Sequence, residues 1–208
     1  MAGKKRKSEA MELLNRPQLL SSINKIESTR DKALASFIYL SGARISEILG
    51  TKKTMKFYKG TGQDRVLERE ESIKIEPLKK ENIEVLYTDD ILLIHQVVCL
   101  KRKHSIPKRT IPIIISKEKA FVDIFLEYYN GLKEGEILFD ISRQRAWQII
   151  SKELNLYNHY LIHERTTHLV THSGFTDLHL QRFRGWKDTR PASIYTHLNW
   201  QDLANKMR

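Results

Sequence analysis

Hydrophobic positions change their period twice along this chain, and the changes divide it into three stretches. From about Ser8 to Gly50 the spacing is helical. "RDKALASFIYLSGARISEILG" repeats apolar residues at helical intervals and stops at Gly50, a residue suited to closing a helix. Residues 51–72, "TKKTMKFYKGTGQDRVLEREES", are charged, contain glycine and show no apolar period, which predicts a loop or a mobile insertion. Short strand-like runs follow: "SIKIEPL", "NIEVLYT", "ILLIHQVVCL" and "RTIPIII". The last two flank "KRKHSIPK", so a hairpin with a basic tip is expected there.

From Lys117 the helical spacing returns. "KEKAFVDIFLEYYNGL" is amphipathic and "SRQRAWQIISKELNL" begins at a serine N-cap. "HERTTHLVTHSG" ends at Gly174, and "DLHLQRFRGW" is expected to begin at an aspartate cap, Asp177. Helices, a small antiparallel sheet, then helices again define an α+β fold. No internal repeat or low-complexity segment interrupts this order.

Charge narrows the range of partners. The 208 residues suit one domain, and a hydrophobic fraction of 40% can fill its core. The formal net charge of +11 points to a polyanion, most simply nucleic acid, with an anionic membrane surface as the rival. No apolar run approaches the roughly 18 residues of a spanning helix, and no signal peptide is evident. Cys99 is the sole cysteine, which excludes a disulfide within the chain and argues against a cysteine-based zinc site. These features predict a nucleic-acid protein of the cytoplasm, associated with a nucleoid or working in the host cell of a mobile element. The opening "MAGKKRK" reads as a basic tail that touches phosphates, directs localisation or is merely solvated.

Four stretches carry candidate chemistry when taken in order. "SGARISEILG" holds Arg44, read as lying in the last turns of a helix, and the hairpin tip "LKRKHSIPKRTIP" holds Lys101, Arg102, Lys103, Lys108 and Arg109. "HYLIHERTTHLV" supplies His159 and His163, and "FRGWKDTRPASIYTHL" supplies Trp186 and Tyr195. From about Ser22 to Leu198 this order resembles the catalytic domain of the tyrosine recombinase (phage integrase) family, with "RGWKDTRPASIYTHL" most similar to archaeal and archaeal-virus members. The resemblance implies a catalytic domain at 22–208, with a lead-in at 1–21. The fold it implies is mostly helical with a three-stranded antiparallel sheet.

It also implies site-specific cleavage and rejoining of double-stranded DNA through a covalent 3′-phosphotyrosine, with Tyr195 as nucleophile. Such an intermediate conserves the bond energy, so no ATP, metal or other cofactor is needed. By resemblance Arg44 is the first arginine of a phosphate clamp, and Lys101 or Lys103 is the general acid for the leaving 5′ oxygen. His159 opens the H-x-x-R segment, and Trp186 donates its indole N–H where most members carry histidine. The basic residues of the hairpin, Lys101, Arg102, Lys103, Lys108 and Arg109, are expected to meet DNA phosphates. Relatives often exchange the segment after the nucleophile between protomers, so a homo-oligomer on DNA is implied, and no membrane.

One position departs from the pattern. H-x-x-R at His159 requires arginine at 162, and the chain has Ile162. Loss of such a charged donor costs about 3–4 kcal/mol of transition-state stabilisation. Either the chain is a weakened or inactive homologue, or the residue was introduced, or Arg165 compensates from about 60° round the helix and about 4.5 Å further along. The rival to an enzyme is therefore a DNA-binding homologue that has lost its chemistry; a basic RNA-binding domain has only net charge behind it. "HERTTH" is one residue too long for the zinc-protease motif H-E-x-x-H. His163 and His168 diverge by about 140° on a helix, so a metal site is not expected.

Overall fold

The computed structural model describes residues 15–102, 104–157 and 159–195. The basic tail, Lys103 and the segment after Tyr195 lie outside the described residues. Two N-terminal helices come first, α1 (Arg16–Asn24) and α2 (Thr29–Ser41). α2 is the axis of the molecule. Ser28 accepts from the Asp31 N–H at its start, and nearly every side chain from Ala33 to Ser41 is buried. A helix apolar on all sides belongs in the middle of a core. Phe37 packs on Phe125 and Phe139, with ring centroids 5.0 and 5.6 Å away.

α2 ends at Gly42, in the left-handed region at φ 57°, rather than running on to Gly50. Arg44 is therefore not in the last turns of a helix. It precedes a separate short helix, α3 (Ile45–Ile48), as its N-cap residue. The left-handed turn at Gly42 redirects the chain and leaves the Arg44 side chain outside any helical ladder.

The stretch expected to be a loop is a hairpin. β1 (Thr51–Lys59) pairs antiparallel with β2 (Val66–Ile75) as a two-stranded sheet of its own. Met55 and Ile75 are the buried positions of these strands, so no apolar alternation marks them. The pairing is held instead by side chains that suit water. Thr54 meets Ser72 at 3.1 Å, Lys56 meets Glu70 at 3.6 Å, and Arg65 and Arg69 lie over Tyr58 and Phe57 at 4.0 and 4.4 Å.

The expected three-stranded antiparallel sheet follows as β3 (Ile83–Leu86), β4 (Ile91–Val98) and β5 (Lys108–Ile114), in the order β3-β4-β5. A bulge between Ile94 and Val97 places Gln96 at φ 61°. Then come α4 (Lys119–Tyr129), α5 (Arg143–Gln148), one π turn at Ile149–Glu153, α6 (Tyr160–Ser173) and α7 (Asp177–Arg184). Ser142 caps α5 and Gly174 closes α6, as their residue types lead one to expect. Thr176 rather than Asp177 caps α7, its N–H donating to His179 Nδ1 at 3.2 Å. The chain closes with a 3-10 turn at Arg190–Ile194.

Glu47 on α3 ties the helices to the sheet. Its side chain is 1% exposed and accepts from the Arg44 N–H at 3.0 Å and Arg44 Nη1 at 2.6 Å. Arg109 Nη2 on β5 and the Leu100 N–H reach the same carboxylate at 3.4 Å. Burial opposes its charge, but the Arg109 and Arg44 guanidiniums outweigh that and hold its pKa below the ordinary value of 4.5. A carboxyl depressed in this way stabilises the fold fully above its unfolded pKa, and the contribution is lost as pH falls through the folded value. Glu47→Gln is therefore expected to cost about 3 kcal/mol in urea denaturation at pH 7, because two guanidiniums lose their counter-charge. The difference between variant and parent should shrink below pH 4.5; a constant difference down to pH 3 would show that charge is not the cause.

Candidate active site

Tyr195 ends the 3-10 turn, its N–H donating to the Ala192 carbonyl at 2.8 Å. Its ring lies near-parallel to Trp186, 6.1 Å between centroids, and to His163, 5.7 Å away. The phenolic oxygen hydrogen-bonds to His163 Nδ1. Around them is a cavity of about 190 Å³ walled by Arg44, Lys101, His159, Ile162, Arg184 and Trp186 among others. A neighbouring cleft of about 700 Å³ shares Arg44, Lys101 and His159 and continues to Arg143 and Trp147. A further cavity of about 750 Å³, between β2 and the β4–β5 loop, is lined by Met55, Ile75, Val98 and Ile106 and holds none of this chemistry.

The titration of the pair is set by the pocket. Burial keeps the Tyr195 phenol above its usual 10.0, while Arg184 and Arg44 pull it back down. Burial, Arg184, His159 and Lys101 all push His163 below 6.5, so its ring is neutral at pH 7. With the proton on Nε2, the bare Nδ1 accepts from the phenol. His159, at the N-cap of α6, is likewise held low, by desolvation and by Arg44, Lys101 and Arg184.

Several elements fix this geometry. Gly185 closes α7 at φ 65°, and a Cβ there would sit 2.2 Å from Cys99 Sγ and 3.0 Å from Arg109 Nη1. Only glycine lets the end of α7 lie so close to the end of β4. Arg102 Nη2 then donates to the Trp186 carbonyl at 3.0 Å, joining the hairpin loop to the turn that leads to Tyr195. Lys53 of β1 donates to the carbonyls of Arg102 and of Ser105, the latter at 3.1 Å, which braces the loop that carries Lys101.

Sequence reasoning and structure agree on bringing Arg44, Lys101, His159, Trp186 and Tyr195 to one pocket, with Ile162 in its wall. Lys103 is outside the described residues. Lys108 is exposed at the start of β5. Arg102 and Arg109 are half-buried and make contacts within the protein. Arg109 is spent on Glu47 and on the Val98 carbonyl, and Arg102 on Trp186.

Arg165 lies outside the lining of that pocket. It is 3% exposed and ion-paired with Glu118, which Arg16 also reaches at 2.6 Å. It lies over Tyr39 and Phe183, pinning α6 to the start of α4 instead of reaching the pocket. One pocket residue, Arg184, was missed, and His163 was named without a role. His163 sits one helical turn after His159, on the same face, and that spacing was the available signal. Arg184 directly precedes the Gly185-Trp186 pair, and adjacency to that motif was its only sign. Among the described residues no group of three or more His, Cys, Asp or Glu side chains is placed to hold a metal ion, and no helix is long and apolar enough to cross a membrane.

This architecture is the fold of a tyrosine recombinase catalytic domain. No protein-family model matches the chain, and no curated protein matches its sequence. Among solved structures it is similar to the XerH site-specific recombinase bound to difH substrate in a pre-cleavage complex, with TM-score 0.58 and 17% identity over 94% of this chain and 53% of that one. XerA recombinase is similar at TM-score 0.56 and 17% identity over 99% of this chain and 65% of that one. The Tn1549 transposon integrase, in complex with a circular intermediate DNA, aligns at TM-score 0.55 and 13% identity, covering 97% of this chain and 66% of that one. The chain thus spans about half to two thirds of these neighbours, and the likeness is one of fold.

Proposed function

We propose that this protein cleaves and rejoins double-stranded DNA at specific sites through a covalent 3′-phosphotyrosine at Tyr195. The observation that carries the reading is the Tyr195 phenol hydrogen-bonded to a neutral histidine inside a cavity walled by arginine and lysine. The phenolic oxygen attacks the scissile phosphorus, its proton passes to His163 Nδ1, and the bond from phosphorus to the 5′ oxygen breaks. Lys101 gives that oxygen its proton, and Arg44 holds a non-bridging oxygen of the phosphate. In rejoining, a 5′ hydroxyl attacks the phosphotyrosine and every proton returns. His159 donates to the phosphate and Trp186 supplies its indole N–H. The DNA-bound complexes of the XerH and Tn1549 neighbours support DNA as partner, and the wording of residues 184–198 supports an origin among archaeal mobile elements. Ile162 favours a second reading, a DNA-binding homologue with weakened chemistry.

A nicked duplex pool of random sequence, incubated with the protein and resolved on a denaturing gel, separates the two readings. Adducts are expected, their DNA giving the target site and their peptide mapping to Tyr195. Tyr195→Phe should abolish them while leaving DNA affinity within about two-fold, because one phenolic oxygen adds little to a multi-phosphate interface. Adducts that persist in Tyr195→Phe remove the nucleophile assignment, and a parent that binds DNA without forming any favours the second reading.

The pH dependence tests the base. Cleavage by the parent should fall on the acid side only below 6.5, where the depressed His163 protonates. His163→Gln should slow cleavage by about 10²-fold or more and erase that acid limb. A limb that survives unchanged in the variant assigns the titration to another group.

A further inference from the structure

Arg184 is a buried guanidinium of the pocket whose charge is supported only from a distance, by Glu47. It is 6% exposed at the end of α7, and among the described residues no carboxylate pairs with it. Arg44 and Arg109 share Glu47, and Arg165 has Glu118. Arg184 Nη1 donates to the Gly42 carbonyl, and its Nε has no partner. Burial, together with the cations of Arg44 and Arg109, presses its pKa down to about 10, which still leaves it charged at pH 7. A buried charge held without a counterion is costly, and such an arrangement is kept where an anion arrives to complete it.

Its position adds to the case. Arg184 and Ile162 wall the same cavity as Tyr195. An arginine at 162 would bring a further guanidinium into a pocket that already holds Arg44 and Arg184. The apolar residue, 2% exposed, leaves that charge to α7. Gly42 makes the room: a Cβ there would lie 3.0 Å from Arg184 Nη1. The guanidinium lies over the Trp186 ring, 5.7 Å from its centroid, and Trp186 in turn stacks beside Tyr195.

We propose that Arg184 supplies the second guanidinium of the phosphate clamp, from the end of α7 instead of from position 162, and contacts a non-bridging oxygen of the scissile phosphate. The proposal rests on the reading of Tyr195 as nucleophile, and it makes Ile162 a relocated function rather than a lost one.

Single-turnover adduct formation is measured on a nicked substrate carrying the selected site, for the parent, Arg184→Ala, Ile162→Arg and Arg184→Ala/Ile162→Arg. Each is also run with a neutral methylphosphonate at the scissile position. Arg184→Ala should slow cleavage of the phosphate by about 10²–10³-fold. On the methylphosphonate, which has lost the charge a guanidinium neutralises, the deficit should shrink to less than about ten-fold. Ile162→Arg should recover about ten-fold or more in the Arg184→Ala background and bring no gain to the parent, where it crowds Arg184. Parental rates for Arg184→Ala overturn the proposal. So does an equal deficit on both substrates without recovery by Ile162→Arg, which is the pattern of a structural role.

A measurement that needs no cleavage separates this proposal from the reading beneath it. Millimolar inorganic phosphate should raise the melting temperature of the parent and not that of Arg184→Ala. If the parent forms no adduct and phosphate still acts through Arg184, the anion site stands and the recombinase reading falls. If adducts form at Tyr195 and neither the rate nor the phosphate effect depends on Arg184, the clamp assignment falls alone.

Discussion

One buried carboxylate among three guanidiniums sets the electrostatics of this molecule. Glu47 holds Arg44 and Arg109 by direct contact and lies close enough to Arg184 to support its charge. A single negative charge cannot neutralise three positive ones, so the cavity beside Tyr195 keeps an excess of positive charge that no other acid among the described residues pairs with. Removed from water, that excess acts at low effective dielectric, where it strengthens any contact with a phosphate. The same carboxylate fixes α3 against β5 and the end of β4, so the charge balance and the packing of the site have one origin.

The Tyr195 side of the pocket is organised by close approach. Gly185 brings the end of α7 onto Cys99, and the Arg102 hydrogen bond to Trp186 then joins the turn that leads to Tyr195 to the hairpin loop. The lysine and the phenol are thereby held by one connected set of contacts, although 94 positions separate Lys101 from Tyr195 in the chain. His163 completes the set as a neutral acceptor because the neighbouring cations make its own protonation unfavourable. A basic pocket keeping its base unprotonated is a direct consequence of like-charge repulsion.

Much of this was legible in the sequence, and what was not has identifiable causes. α2, α4 and the β4–β5 hairpin announce themselves because burial imposes a period on their apolar residues, and Ser142 and Gly174 mark helix ends through their own conformational preferences. The β1–β2 hairpin escaped because both its faces meet water and cross-strand charge and cation–π pairs replace apolar alternation. Arg44 was placed a helix too early, since the left-handed turn at Gly42 is invisible to periodicity. The family order found the pocket's outline in Arg44, Lys101, His159, Trp186 and Tyr195. It overlooked Arg184, gave His163 no role, and did not foresee that Arg165 and Arg109 pair with buried carboxylates. A guanidinium's destination depends on which buried carboxylate lies nearest, and spacing along one helix carries no record of a partner on another element.

The bracing of the Lys101 loop by Lys53 has a kinetic meaning. β1 and β2 bury little apolar surface, and segments of that kind open locally at a fraction of the free energy that unfolds a core. α2, encased on all sides, opens only with the whole molecule. The site therefore joins parts of unequal stability, with Arg44 set just beyond the buried α2 and the Lys101 loop braced by the hairpin. Amide protons of the Lys101 loop should keep time with those of β1, and Lys101 should come and go on the hairpin's clock while Arg44 stays in place.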